Sequence, residues 1–247
     1  MEEKNLGEYD TPMKYEAIRT AAWEANRNVV QAGLVLLTWG NAGVRDEQEP
    51  VFAIKPSGVQ YDELTPESMV IVSIETGEVV DGEYRPSSDT PTYRVLFERF
   101  PAVRAIVHTH SGNAVAFAQA HRDIPIYGTT HADHFRSAIP VTDLLSPAEV
   151  AAEYEAATGE LIARTFTSRS IDPLDVPGVL VANHGPFAWG STATGAVENA
   201  IVLEACAEMA RRTESLRPDV VPAPTFLTEK HFLRKHGPAA YYGQKAT

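Results

Sequence analysis

The stretch AVRAIVHTHSG at residues 102–112 joins a β-rich apolar run to two histidines separated by one residue. Side chains on a strand alternate between faces, so a strand running through His110 turns His108 and His110 the same way and lets both close on one ion. Ser111-Gly112 break the run immediately afterwards. A second apolar run, Val179-Leu180-Val181-Ala182-Asn183, ends on His184, and Gly185-Pro186 mark a strand edge opening into a turn. Three neutral imidazoles favour zinc or a similar borderline divalent metal, and three protein ligands leave a position open for substrate. The pattern points to catalysis rather than to a structural metal.

A His-x-His pair also arises by chance, and a lone histidine after a strand is more often a loop or polar core residue. The metallo-β-lactamase pattern needs an Asp and a His directly after the pair, where Ser111, Gly112 and Asn113 stand. Length and composition narrow the choice further. A chain of 247 residues with 44% hydrophobic content can bury one sizeable core, which implies a single α/β domain. A formal charge of -12 spread along the chain argues against a nucleic-acid partner, which needs a basic face. The single cysteine, Cys206, cannot form an internal disulfide, the N-terminus lacks the apolar core of a signal peptide, and no segment approaches membrane-spanning length. These features predict a cytoplasmic protein with no membrane partner.

Helical and extended patterns alternate without repeats. Ile18, Ala22, Ala25 and Val29 recur at helical spacing between Pro12 and Gly33. Extended runs at Val51–Lys55 and Met69–Ile74 follow, the second joined through Glu75-Thr76-Gly77-Glu78 to Val79-Val80 as a hairpin. Thr90-Pro91 opens a helix through Phe100 that leads into the His108 strand. A further helix is predicted from Ser146-Pro147 to Ile162. A long one from Thr194 to Ser215 has Val197, Ile201, Ala205 and Met209 on one side, and a short one spans Thr228–His236. The sum is an α/β sandwich with a largely antiparallel sheet.

Three segments have the composition of an anion pocket: Thr38-Trp39-Gly40-Asn41, Lys55-Pro56-Ser57-Gly58 and Pro86-Ser87-Ser88-Asp89. Each offers hydroxyls or glycine-freed backbone N–H groups, and Ser87-Ser88 precede a helix start, where amides and dipole favour negative charge. The competing reading is three ordinary turns, with Ser88 or Asp89 capping the helix that begins near Thr90.

LTWGN at 37–41, IKPSGV at 54–59, PSSDTPT at 86–92, IVHTHS at 106–111, GTTHAD at 128–133, GVLVANHGPFAWG at 178–190, and KHFLRKHG with AYYGQ near the end form an ordered set. Together they resemble the class II aldolase/adducin family, and within it the L-ribulose-5-phosphate 4-epimerases. The resemblance implies a three-layer α/β sandwich with a mainly antiparallel central sheet flanked by helices. It covers a single domain at 13–247, preceded by a flexible N-terminal extension at 1–12. It also implies one Zn2+ per subunit on His108, His110 and His184, with Asp89 beside the metal. Gly40, Asn41, Lys55, Ser57, Gly58, Ser87 and Ser88 fall on its phosphate and substrate contacts.

The implied reaction inverts C4 of L-ribulose 5-phosphate to give D-xylulose 5-phosphate. That carbon carries no acidic proton, so inversion by deprotonation is chemically implausible. A retro-aldol cleavage of C3–C4, rotation of the aldehyde fragment and rejoining solves the problem, with zinc as the Lewis acid. Two acid/base groups must flank the carbon, and the resemblance assigns them to Asp133 and Tyr242. It further implies a homotetramer in which the C-terminal tail carries Tyr242 to a neighbouring subunit's site, with His231 near that site and Glu155 assisting Asp133. His134 departs from the epimerase pattern, which has an aromatic after the aspartate. Two other readings share the fold. Aldolases of the fuculose 1-phosphate type usually carry Glu where this chain has Asp89, and a non-catalytic module like the adducin head lacks the metal histidines.

Overall fold

The computed structural model describes residues 13–237 together with residues 240 and 241. The predicted extension at 1–12 and Tyr242 lie outside the described residues. The opening helix α1 (Glu16–Gln31) buries the expected stripe of Ile18, Ala22, Ala25 and Val29. Seven strands follow among the described residues: β1 (Asn41–Arg45), β2 (Val51–Ile54), β3 (Val70–Ser73), β4 (Val79–Asp81), β5 (Ala105–His108), β6 (Gly178–Leu180) and β7 (Pro186–Gly190). They form one sheet in the order β4-β3-β2-β1-β5-β7-β6, every neighbouring pair antiparallel.

Helices cover both faces, so the central strands β2, β5 and β7 are buried along their whole length and read as unbroken apolar runs rather than as alternating patterns. On one face α1 packs against β1 and β2, and the long helix α7 (Ala193–Leu216) against β5 and β7. On the other, α2 (Thr90–Arg99) sends Tyr93 and Phe97 onto Phe187 and Phe52. There too, α6 (Tyr154–Ser168) brings Phe166 against Phe100 and Trp189. This is the expected three-layer sandwich. In the buried face of α1, Asn26 takes both backbone groups of Ala42, donating through Nδ2 to its O at 3.0 Å and accepting from its N at 2.9 Å. The pairing of β2 with β1 begins only at Gly43, so the side chain satisfies a backbone position that the neighbouring strand does not reach.

Several local expectations need correction. The helix predicted from Ser146 to Ile162 is two: α5 (Pro147–Ala151), closed by a Ser146–Glu149 capping box, and α6, with non-helical backbone at Ala152 and Glu153 between them. Ser111-Gly112 do not merely end a strand, because Gly112 begins α3 (Gly112–Gln119). Gly185-Pro186 open directly into β7. The inward face of α7 is Ala196, Val197, Ala200, Leu203, Cys206, Ala207 and Ala210, while Ile201 and Met209 are exposed. Small residues let α7 approach the sheet: a Cβ on Gly190 would lie 2.7 Å from the backbone of Ala196. The stripe read from the larger apolar residues is therefore rotated from the real contact.

In the short helix α4 (Thr129–Ala132), His131 is buried and its Nε2 finds no hydrogen-bond partner. Burial lowers its pKa from 6.5 to about 4. A depressed histidine pKa means that the unfolded chain binds the extra proton first, so stability is complete above pH 6.5 and falls as the pH drops toward 4. His131 alone is expected to remove roughly 3 kcal/mol across that window. Urea unfolding at pH 7 and pH 4.5 tests this, since His131→Leu should flatten the difference between the two midpoints.

Candidate metal and substrate site

The site forms where β1, β5 and β7 end side by side, with Asn41 paired to His108 and His108 paired to Phe187. His108 is 1% exposed and its ring stacks on Phe187 with centroids 4.2 Å apart. Its Nδ1–H donates to the Pro186 carbonyl at 2.9 Å, which leaves Nε2 available to an ion. His110 lies beyond the end of β5, so the two histidines do not share a strand as their spacing suggested. The chain nevertheless turns both rings together, with the two Nε2 atoms 3.1 Å apart. His184 enters from the β6–β7 turn, where Asn183 is left-handed at φ 61 and held by an N–H bond to Ala118 O and by His121 Nε2 at 2.7 Å.

Close backbone approach completes the cluster. A Cβ on Gly40 would lie 2.6 Å from His108 O, and one on Gly185 would lie 2.7 Å from Thr109 O. Any other residue at either position would push a loop away from the histidines. The three imidazoles place ligand atoms within 4.8 Å of one another. Tetrahedral zinc with Zn–N near 2.05 Å sets nitrogens about 3.3 Å apart, so the donor set suits such an ion. Partial burial and His108 lower the His110 pKa, and burial with both neighbouring histidines lowers that of His184 to about 4. Both shifts favour the neutral form that a metal-binding imidazole must have.

The cavity above them has a volume of about 430 Å³ and is lined by residues 38–41, 55–58 and 87–89 together with His108, His110, Tyr154, Glu155 and His184. All three segments read as an anion pocket thus converge on the histidines. Asp89 caps nothing through its side chain. Instead its Oδ2 accepts from Asn41 Nδ2 at 2.6 Å, while Ser87 Oγ accepts from the other proton at 3.1 Å. Asp89 shares the cavity but is not part of the three-histidine cluster. Lys55 is 2% exposed. It donates to Val59 O at 2.6 Å and Pro56 O at 3.3 Å and lies over the Tyr61 ring. Burial lowers its pKa to about 8, so at pH 7 it still carries positive charge into the cavity.

Asp133 does not line this cavity. It closes α4 and faces α8 (Thr225–His236), where His231 lies at 3.0 Å and Arg234 binds both carboxylate oxygens at 2.9 and 2.6 Å. Asp133 and His231 therefore meet, whereas Glu155 sits with the histidines, away from the aspartate. Burial alone would raise the Asp133 pKa, but Arg234 and His231 outweigh it and hold the carboxyl below its usual range. His134 approaches Lys235 at 3.4 Å, and burial followed by that cation lowers its pKa, which disfavours a second positive charge beside Asp133.

One supporting residue carried no sequence signal. Glu204, on α7, accepts from the backbone N–H groups of Asn113 and Ala114 at 2.9 Å each and from Asn113 Nδ2 at 2.8 Å. It supplies from another helix the anion that the N-terminus of α3 needs directly after His110. Glu204→Ala is expected to cost about 2 kcal/mol in a urea titration, since three hydrogen bonds to one charged group are lost.

The family model of the class II aldolase and adducin N-terminal domain matches residues 21–211. The chain belongs to this family. The L-ribulose-5-phosphate 4-epimerase UlaF of Salmonella paratyphi A is 46% identical over 230 residues, spanning 93% of this chain and 100% of that protein. The protein of the same name from Salmonella typhi matches equally. Among solved structures of the fold, an L-fuculose 1-phosphate aldolase superposes with a TM-score of 0.74 at 22% identity, over 89% of this chain and 96% of its own. The L-fuculose 1-phosphate aldolase from Glaciozyma antarctica PI12 gives 0.73 at 19% identity, over 96% of this chain and 90% of its own. These class II aldolase structures bear out the three-layer sandwich, and the epimerase relatives bear out the resemblance.

Proposed function

We propose that this chain is a zinc-dependent L-ribulose-5-phosphate 4-epimerase that inverts C4 by breaking and remaking the C3–C4 bond. The observation that carries the reading is the alignment, at 46% identity over the full length of an epimerase, of a chain whose anion-pocket segments and three histidines line one cavity. Bound by His108, His110 and His184, with Asp89 beside them, zinc would supply Lewis-acid stabilisation of negative charge on the C1–C3 fragment. Lys55 and the hydroxyl and amide groups of Ser57, Gly58, Ser87 and Ser88 would hold the phosphate, with Gly40 and Asn41 on the sugar.

The two proton-transfer groups are Asp133 and Tyr242, one for each face of C4. The Arg234 clamp keeps Asp133 ionised, which suits it to take the C4 hydroxyl proton rather than to arrive carrying one. Asp133 lies outside the histidine cavity of its own chain, a placement that fits sites completed between subunits of a homotetramer, with Tyr242 delivered by the C-terminal segment. The substrate is a small sugar phosphate. Among the described residues no helix is long and apolar enough to cross a membrane, and the proposed setting is the cytoplasm.

Incubating the zinc-loaded protein with L-ribulose 5-phosphate tests the reading. D-xylulose 5-phosphate should accumulate with little free glycolaldehyde phosphate. Release of the aldehyde without epimer would indicate an aldolase, and no reaction would overturn the assignment.

A further inference from the structure

Tyr154 was silent in the sequence, buried in a run that reads as continuous helix, yet it lines the cavity and its phenol oxygen lies 3.2 Å from His184 Nδ1. The fold holds it there from several directions. The break at Ala152 and Glu153 starts α6 anew at Tyr154. Thr158 Oγ1 donates to the Tyr154 carbonyl at 2.8 Å, and Thr92 Oγ1, on α2, donates to the Glu155 carbonyl at 2.6 Å. Gly159 lets α2 and α6 pack tightly, since a Cβ there would lie 2.7 Å from Val95. Because α2 also follows directly on Asp89, the helix pair ties Tyr154 to the aspartate side of the cavity.

The two nitrogens of His184 are thereby divided. Nδ1 meets the phenol, so the ring presents Nε2 to the metal cluster, the arrangement that the Pro186 carbonyl imposes on His108. A metal-bound imidazole needs its ligand nitrogen unprotonated, which puts the proton on the other nitrogen and makes that nitrogen a donor. Resting on the reading of the three histidines as a metal centre, we propose that Tyr154 is a positioning residue for that centre: its phenol oxygen accepts the Nδ1–H of His184 and fixes the tautomer and ring orientation in which Nε2 binds zinc. His110 has no comparable bond to a non-ligand group among the hydrogen bonds of the described residues, so Tyr154 and Pro186 O are the two such supports.

The test is zinc affinity, measured by competition with a chromophoric chelator on the wild-type chain and on Tyr154→Phe, which keeps the ring and removes only the acceptor. Affinity should fall about 10- to 100-fold in the variant. In the zinc-loaded wild type labelled with ¹⁵N-histidine, the His184 Nδ1–H should give a slowly exchanging downfield proton resonance, identified by its loss in His184→Asn. That resonance should broaden or exchange rapidly in Tyr154→Phe. Tyr154→Trp, which fills the space without an oxygen, should behave like Tyr154→Phe. Unchanged affinity and an unchanged resonance in the phenylalanine variant would overturn the role of Tyr154 while leaving the metal centre intact. Failure of the wild-type chain to bind zinc would overturn the centre and this inference together.

Discussion

Replacing His108 with Asn is expected to abolish zinc retention and turnover together, both by several orders of magnitude. His108 is the most buried of the three histidines, stacked on Phe187 and oriented by Pro186 O, so its imidazole is held in one orientation in the cluster. Two imidazoles left on a half-open site bind zinc far more weakly than three in a fixed array. Metal analysis after dialysis, run beside the epimerase assay, checks the prediction, and a urea midpoint for the variant separates loss of metal from loss of fold. Turnover at the wild-type rate without bound metal would remove the centre from the mechanism.

Asp133→Asn is expected to lower kcat by about 10²- to 10⁴-fold while leaving zinc content near one per subunit, because the role proposed for the carboxylate is to move a proton and not to hold the metal. The amide keeps the shape of the side chain but removes the charge that Arg234 and His231 hold in place. Its pKa already lies below the ordinary carboxylate value, so the wild-type base is ionised throughout the neutral range and raising the pH should not rescue the variant. Tyr242→Phe is expected to give the same pattern, with metal and assembly intact and epimerisation lost. Normal turnover in either variant, measured with stoichiometric zinc, would exclude that residue from the proton-transfer pair.

Much of this site was legible in the chain because its chemistry is concentrated in short segments. Gly40-Asn41, Lys55-Pro56-Ser57-Gly58 and Ser87-Ser88-Asp89 carry hydroxyls, amides and a cation of the kind that suits an anion, and all of them line the cavity. Supports that act from a distance in sequence were not legible. Glu204 reaches Asn113 across 91 residues and Tyr154 reaches His184 across 30, and a lone glutamate or tyrosine in a helix has no local feature to mark it. The division of α5 from α6 was hidden for a related reason, since Ala152 and Glu153 have no intrinsic aversion to helix.

Local periodicity by itself determined the opening helix and the β3–β4 hairpin, while spacing only picked out His108, His110 and His184 as candidates that the family resemblance joined into one set. Hydrophobic burial at the helical or strand period leaves few alternatives for the first two features. Only the tertiary structure decided that His108 alone of the first pair belongs to a strand. It alone decided that the buried face of α7 is the stripe from Ala196 through Leu203 to Ala210 rather than the side of Ile201 and Met209, and that Asp133 faces α8 instead of the histidines. Each of these depends on which backbones approach one another closely, a property of pairs of elements far apart along the chain that no single segment encodes.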